Sequence, residues 1–152
     1  MQVKIKKLDE RAKIPTYATE YSAGADVYMM DGDSVTVNPH ETVMIRTGFA
    51  IEIPEGYAGL IFARSGLASK RGLAPANKVG VIDADYRGEC MVALHNHTSS
   101  PVTVDGGERI AQLAIVPFLK AEFETVDSLS DTVRGEGGFG STGKNDIVVD
   151  KI

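Results

Sequence analysis

The stretch SVTVNPHETVMIRTGFAIEIPEG, residues 34–56, decides the fold because it repeats one simple pattern. The segments SVTVNP, VMIR and FAIEIP each place aliphatic side chains two positions apart, which puts those side chains on one face of a β-strand. The intervening NPHE and the closing PEG are tight-turn sequences. Short strands separated by such turns predict an all-β protein.

The same period of two continues on both sides of this stretch. Near the start, QVKIKK places Val3 and Ile5 on one face and lysines on the other, and PVTVDG aligns Val102 with Val104. The turn sequences DGD and DGGE separate further strands. Many short strands at this spacing predict a jelly-roll-like β-barrel.

One segment, SGLASKRG at 65–72, predicts a short helix, with Ser65 as its cap and Gly72 at its end. Together with the preceding Arg64, Ser65 and Gly66 would offer an anion a guanidinium, a hydroxyl and backbone N–H groups. The alternative is that Ser-Gly here only caps the helix.

After Arg109, the segment RIAQLAIVPF, 109–118, is apolar on both faces apart from Gln112. A strand of a small barrel usually keeps one face in water, so the second apolar face needs a cover. Another subunit would provide one, and a loop of the same chain is the alternative. The pattern favours an oligomer.

Composition limits the functional classes. The chain has 152 residues, enough for one core, and a net charge of −5, which argues against a general nucleic-acid binder. It has one cysteine, Cys90, so no intrachain disulfide can form and a reducing, cytoplasmic setting is expected. Its start lacks a run of signal-peptide length, and no run approaches membrane-spanning length, so we expect no membrane partner.

From residue 125 the composition shifts to Ser, Asp, Thr and Gly, which predicts a domain at 1–124 and a C-terminal arm at 125–152. The arm contains RGEGGFGSTG, 134–143, whose five glycines leave backbone N–H groups open to an anion. Further donors come from Arg134, Ser141 and Thr142, and Phe139 offers a flat face to a base. The alternative is a tail without a role.

The segment NKVGVIDADYRGE, 77–89, predicts a hairpin, since apolar VGVI leads in and CMVAL leads out. Asp83 follows the apolar strand, and partial desolvation there would favour it as a general base. The alternative is that Asp and Gly only form the turn.

Taken in order, five segments resemble the five motifs of the trimeric dUTP diphosphatase (dUTPase) family. They are SAGADVY at 22–28, ARSGLA at 63–68, GVIDADYRGE at 80–89, GERIAQL at 107–113 and RGEGGFGSTG at 134–143. The resemblance implies a jelly-roll-like barrel assembled as a homotrimer. It also implies active sites shared between subunits, each closed by a C-terminal arm.

The resemblance further implies Mg²⁺-dependent hydrolysis of dUTP to dUMP and pyrophosphate by water attack at the α-phosphorus. This reaction keeps uracil out of DNA and supplies dUMP for thymidylate synthesis. Asp83 would be the general base, Gln112 would position the water, and Tyr86 would pack under the deoxyribose and exclude UTP. Mg²⁺ would be bound mainly by the triphosphate and water, with Asp26 contacting a metal-bound water.

The remaining roles implied by the resemblance are binding roles. The uracil edge would be read by Asn77 and the backbone of Val81, Ile82 and Met91, and Phe139 would stack on the uracil ring. The α- and β-phosphates would be held by Arg64, Ser65 and Gly66, and the γ-phosphate by Arg134, Ser141 and Thr142, beside Gly140. Arg109 would support the interface and the site.

Ala63 departs from the proline that usually opens the second motif, which removes a backbone restraint but no functional group. Two alternative functions stay open. A related dCTP deaminase would carry a catalytic Glu where this sequence has Ala93. A non-catalytic nucleotide-sensing or regulatory trimer would be expected to lack residues such as Asp83, Ser65 or Arg134, all of which are present.

Overall fold

The computed structural model describes residues 1–138 of the chain. One compact unit spans Met1–Leu119, and a second unit begins at Lys120. The change in composition at residue 125 therefore lies inside the second unit. All of the strands and the one helix of the described residues belong to the first unit.

The predicted all-β architecture with one short helix is confirmed. The elements, in chain order, are β1 Lys4–Lys7, β2 Ala25–Tyr28, β3 Ser34–Val37, β4 Thr42–Ile45, β5 Phe49–Glu52, β6 Tyr57–Ala63, α1 Ser65–Arg71, β7 Leu73–Pro75, β8 Gly80–Ile82, β9 Val92–Asn96, β10 Val102–Asp105 and β11 Arg109–Pro117. Across residues 1–138, no helix is long and apolar enough to span a bilayer.

The strands form four antiparallel sheets around one core. A four-stranded sheet has the order β2-β11-β6-β8, a three-stranded sheet has the order β4-β9-β7, and β1-β5 and β3-β10 are two-stranded. The core draws fully buried side chains from different sheets, including Phe49, Leu73, Leu94 and Ile110. Burial of such side chains is the main force that holds the sheets together.

The predicted alternation is correct for most strands. Val37, Ile45, Ile51 and Val104 are all buried, as their positions in the pattern require. The prediction is wrong for Ile5, which is 38% exposed, because β1 pairs only with β5 and all four residues of β1 are exposed. An edge strand can show the alternating pattern without a core against which to pack it.

Helix α1 ends as predicted and begins differently. Gly72 adopts a left-handed conformation with φ of 67°, and its N–H donates to the Ala68 carbonyl oxygen, which closes the helix. Ser65 is not the cap, because it is already the first helical residue and Arg64 holds the cap position. The Arg64 carbonyl oxygen accepts hydrogen bonds from the N–H groups of Leu67 and Ala68.

The hairpin predicted from the segment 77–89 is wrong. Strand β8 pairs with β6, whereas β9 pairs with β4 and β7, so residues 83–91 form a loop that connects two different sheets. We call this segment the 83–91 loop. Two successive apolar runs predict two strands, but their pairing depends on residues far away in the sequence.

Strand β11 lies between β2 and β6. On its inner face, Ala111 and Leu113 are buried, whereas Gln112, Ala114 and Val116 on the other face are only partly covered. The second apolar face predicted from the sequence is therefore partly exposed in one chain.

Substitution of Gly72 is expected to destabilise the fold more than substitution of Gly56. Both glycines have positive φ, 67° and 80°, so alanine costs about 1–2 kcal/mol at either position. At Gly72 an added Cβ would also lie 2.2 Å from Thr98 Cγ2, whereas at Gly56 it would meet nothing within 4 Å. The Thr98 hydroxyl is fixed by bonds to Asn96 Oδ1 and the Ser100 carbonyl oxygen, so its methyl group cannot swing away freely.

We expect the free energy of unfolding in urea to fall by at least about 1 kcal/mol more for Gly72→Ala than for Gly56→Ala. Equal losses in the two variants would contradict this account.

Candidate active site

A cavity of about 230 Å³ lies between β8 of one sheet and β9 of the other. We call it the loop pocket, because the 83–91 loop closes one side of it. It brings together six residues predicted to form the site: Asn77, Val81, Ile82, Asp83, Tyr86 and Met91. Strand β8 is the edge of its sheet, so one row of its backbone N–H and C=O groups is not used by pairing with β6.

Tyr86 lines the loop pocket and folds back over the backbone of its own loop. Its hydroxyl donates a hydrogen bond to the Glu89 carbonyl oxygen at 3.1 Å. A Cβ added to Gly88 would lie 2.3 Å from the Tyr86 hydroxyl oxygen. The tyrosine can therefore take this position only because residue 88 is glycine.

Asp83 lies where β8 ends and the loop begins. The Tyr86 N–H donates to the Asp83 carbonyl oxygen at 3.1 Å, and Arg87 Nη1 donates to the carbonyl oxygens of Ala84 and Tyr86. These bonds form a compact turn. The predicted desolvation of Asp83 is wrong for a single chain, because Asp83 is exposed there.

The far end of the 83–91 loop is attached to the connection between β4 and β5. The Glu89 carboxylate accepts hydrogen bonds from Arg46 Nε at 3.1 Å and from the Gly48 N–H at 2.8 Å. The Cys90 N–H donates to the Phe49 carbonyl oxygen, and its own carbonyl oxygen accepts from the buried Thr47 hydroxyl. Burial raises the pKa of the Cys90 thiol to about 11, which keeps it protonated at neutral pH.

A second group of predicted site residues lies on β2 and β11 of the four-stranded sheet and just past the end of β6. Asp26, 4% exposed, accepts a hydrogen bond from Arg109 Nη1 at 3.2 Å and lies 3.6 Å from Arg64 Nε. Gln112 is the direct cross-strand neighbour of Asp26. We call Asp26, Arg64, Arg109 and Gln112 the arginine cluster; Ser65 and Gly66 follow it at the start of α1.

The sheet order separates the arginine cluster from the loop pocket. Asp26 on β2 is three strand spacings, about 14 Å, from β8 at the opposite edge. Gln112 on β11 is two spacings from β8, and Arg64 follows β6, which is next to β8. Along the strands, Gln112 pairs with Phe62 whereas Ile82, next to Asp83, pairs with Gly59, an offset of about 10 Å. Arg64 lies five residues past Gly59, an offset of about 17 Å. Within one chain, Asp83 and the arginine cluster are therefore too far apart to contact the same phosphate group.

In the second unit, Arg134 Nε donates to the Gly137 carbonyl oxygen at 2.8 Å. The Gly137 N–H donates in turn to the Arg134 carbonyl oxygen, which closes a small turn. The other residues predicted for the arm, Phe139, Gly140, Ser141 and Thr142, lie outside the described residues.

The residues present suit an indirect metal contact better than a protein cage. Among residues 1–138, no group of three His, Cys, Asp or Glu side chains could hold a metal ion. Both Asp26 oxygens face arginines, at 3.2 and 3.6 Å. An ionised carboxylate has about four acceptor positions, so Asp26 could still accept a hydrogen bond from a metal-bound water.

A family model described as dUTPase matches residues 10–143. The chain belongs to the dUTPase family. It is 50% identical, over 94% of its own length and 99% of the relative's, to a deoxyuridine 5'-triphosphate nucleotidohydrolase from Hydrogenobaculum sp. (strain Y04AAS1). Its activity is therefore that of a dUTP diphosphatase, an enzyme that hydrolyses dUTP.

Solved structures of dUTPases show the same fold. A dUTPase variant from Staphylococcus bacteriophage 80alpha, bound to dUpNHpp, matches with a TM-score of 0.85 and 31% identity over 94% of this chain and 99% of that chain. A dUTPase variant from phage phi11 of S. aureus, described with a structural Mg(II) ion, matches with a TM-score of 0.78 and 27% identity over 86% of this chain and 100% of that chain. These likenesses confirm the predicted fold class.

Sequence reasoning missed several residues that line or support the loop pocket. Met44 and Pro75 line it from β4 and β7, strands that no local pattern connects to the third dUTPase motif. Glu89 ends the third motif, and nothing in the local sequence connects it with Arg46. An acidic residue at the end of a motif gives only a weak sequence signal when its partner lies 43 positions away.

Replacing Asp26 with asparagine is expected to destabilise the dUTPase fold. The two guanidinium groups would lose their shared anionic acceptor, and hydrogen bonds to charged groups contribute about 1.5–3 kcal/mol. The Arg64 and Arg109 side chains are 29% and 46% exposed, so solvent screens part of this ionic stabilisation. We expect the free energy of unfolding in urea to fall by about 1–2 kcal/mol.

The matched control is Asp33→Asn, which breaks the pair between Asp33 and Arg11 at the surface. An exposed pair contributes about 0–1 kcal/mol, so this variant should lose less. The account of Asp26 is wrong if the two variants unfold at the same urea concentration.

Proposed function

We propose that the chain hydrolyses dUTP to dUMP and pyrophosphate in a site that several copies of the chain complete together. The observation that carries this proposal is the separation of Asp83 from the arginine cluster across the four-stranded sheet. A general base and the groups that hold the phosphates must all lie within hydrogen-bonding reach of one substrate. Residues of two different chains would satisfy this requirement.

The loop pocket is assigned to the nucleoside. The exposed backbone edge of β8, at Val81 and Ile82, suits the donors and acceptors of a uracil edge, with Asn77 and Met91 beside it. The Tyr86 ring would pack under the deoxyribose and leave no room for a 2′-hydroxyl. The small size of the cavity, about 230 Å³, supports discrimination by shape.

Asp83 is assigned as the general base that takes a proton from the attacking water. Water attacks the α-phosphorus, the bond to the bridging oxygen breaks, and pyrophosphate leaves. Asp83 is exposed in one chain, so desolvation would come from the substrate and from the neighbouring chain that covers it. Gln112 of that neighbour would hold the water in line.

The arginine cluster is assigned to the phosphates. Arg64, Ser65 and Gly66 would hold the α- and β-phosphates, because a guanidinium can bind two phosphate oxygens at once. Arg109 would support the site and the interface. Asp26 keeps both arginines close together, which two like charges would otherwise resist.

A homotrimer, as the family resemblance implies, would also cover the partly exposed face of the four-stranded sheet. Phe62 and Val81 are 38% and 64% exposed; Phe62 is two positions from Leu60 on β6, and Val81 is the partner of Leu60 on β8. Ala114 and Val116 continue this apolar face on β11. Another copy of the chain, packed against this face, would remove it from water.

The arm is assigned to closing the site of neighbouring chains. Arg134, Ser141 and Thr142 would hold the γ-phosphate beside Gly140, and Phe139 would stack on uracil. Mg²⁺ is the expected cofactor, held mainly by the triphosphate and water, with Asp26 accepting from one of those waters. Bound there, Mg²⁺ would neutralise charge on the phosphates.

This activity would remove dUTP before it enters DNA and would supply dUMP for thymidylate synthesis. We expect the chain to act in the cytoplasm, where reducing conditions suit its single, buried Cys90.

The direct test compares dUTP, UTP, dCTP and dTTP with Mg²⁺ and measures pyrophosphate and nucleotide products. We expect pyrophosphate and dUMP from dUTP alone. Formation of dUTP from dCTP would favour a deaminase, and binding of dUTP without any product would favour a nucleotide sensor.

Asp83→Asn is expected to lower kcat by at least about 100-fold, because general bases contribute about 10²–10⁴ to rates. Binding of a non-hydrolysable dUTP analogue should stay nearly unchanged. The matched control is Asp85→Asn, which changes an exposed carboxylate of the same loop that does not line the loop pocket. Similar losses of kcat in both variants would refute the role of Asp83.

A mixture of Asp83→Asn and Arg64→Gln chains is expected to recover activity that neither variant has alone. If Asp83 and Arg64 of one site come from different chains, random assembly leaves about a quarter of the sites intact. Differently tagged chains, unfolded together and refolded, allow mixed oligomers to be isolated and assayed. Mixed oligomers without recovered activity would show that sites are not shared in this way.

A further inference from the structure

Glu89 lies in the loop pocket but is unsuited to act as a second general base. It lines the cavity with Asp83, and its side chain is only 15% exposed. Its Oε2 accepts from Arg46 Nε, and its Oε1 accepts from the Gly48 N–H. Both oxygens of this carboxylate are thus bound to donors on the connection between β4 and β5, so its contacts hold the loop in place.

The contacts of Glu89 instead lead to Tyr86. The Glu89 carbonyl oxygen accepts the Tyr86 hydroxyl at 3.1 Å and the Met91 N–H at 3.0 Å. The position of that oxygen depends on where the Glu89 side chain anchors the loop. The anchor is rigid, because Gly48, with φ of 74°, packs tightly: an added Cβ there would lie 2.8 Å from Met30 Sδ.

The Tyr86 hydroxyl has few other restraints. The residue is 45% exposed, and Gly88 beneath its ring provides space rather than attraction. A tyrosine that rejects a hydroxyl group by sterics must be held in place, since a ring that can swing aside admits the larger substrate.

We propose that Glu89 is a positioning residue that sets the discrimination between dUTP and UTP. Through Arg46 and the Gly48 N–H it fixes the carbonyl oxygen that holds the Tyr86 hydroxyl, and Tyr86 in turn leaves no space for a 2′-hydroxyl. This inference rests on the proposed contact of Tyr86 with the deoxyribose.

The test measures kcat and KM for dUTP and for UTP in the wild type and in Glu89→Gln, which keeps the shape of the side chain and removes its charge. We expect the ratio of kcat/KM for dUTP to that for UTP to fall about tenfold, mainly through a gain on UTP. The kcat for dUTP should stay within about threefold, because Asp83 is untouched.

Two further variants separate positioning from a general loss of structure. Arg46→Gln breaks the same contact from a side chain that is 53% exposed, so it keeps the test valid if Glu89→Gln folds poorly. It should lower the ratio in the same direction. Glu10→Gln removes the same charge at an exposed position and should leave the ratio unchanged.

A double-mutant cycle with Tyr86→Phe tests the path of the effect. If Glu89 acts through the Tyr86 hydroxyl, Glu89→Gln should change the ratio little further once that hydroxyl is gone. Additive effects of the two substitutions would overturn the proposal. An equal fall in kcat/KM for both substrates would also overturn it, since that is the mark of a merely structural role.

Crystal structures of the wild type and Glu89→Gln make the test independent of the proposed function. We expect the hydrogen bond from the Tyr86 hydroxyl to the carbonyl oxygen of residue 89 to be lost or displaced. An unchanged Tyr86 would overturn the inference whatever the substrate. A wild type that does not hydrolyse dUTP, with Tyr86 displaced in the variant, would instead refute the proposed function and leave the positioning contact standing.

Discussion

The order β2-β11-β6-β8 of the four-stranded sheet is the constraint on which the site depends. It fixes β2, which carries Asp26, and β8, which ends at Ile82 just before Asp83, at opposite edges. Backbone hydrogen bonds across β11 and β6 hold that separation, and no side-chain movement of a few ångströms can close it. In the proposed shared site, these two groups of residues would therefore come from different chains.

The 83–91 loop solves a second structural problem, which is how to keep a cavity open between two sheets. Because β8 and β9 pair with different partners, they diverge, and the space between them is available to a ligand. The loop is tied at one end by Arg87 to its own carbonyl oxygens and at the other by Glu89 to Arg46. A cavity wall of irregular backbone needs such bonds, because no hydrogen bonds to a neighbouring strand hold it in place.

Charge is distributed to suit an anionic substrate in an acidic protein. The chain carries a net charge of −5, yet Arg64 and Arg109 meet at one buried carboxylate, Asp26. One carboxylate between two guanidinium groups leaves a local excess of positive charge. In the proposed site, this local charge would attract the triphosphate without a broad basic surface that would also attract nucleic acids.

The sequence by itself determined the all-β class, the position and end of the one helix, and the buried residues Val37, Ile45, Ile51 and Val104, because period and turn chemistry are local. Its five motifs also determined the dUTPase family. Only the tertiary structure decided that β8 and β9 do not pair, that Ile5 is exposed, and that Arg46 lies beside Glu89. Strand pairing and contacts between distant residues depend on how the whole chain packs, and a local pattern carries no information about them.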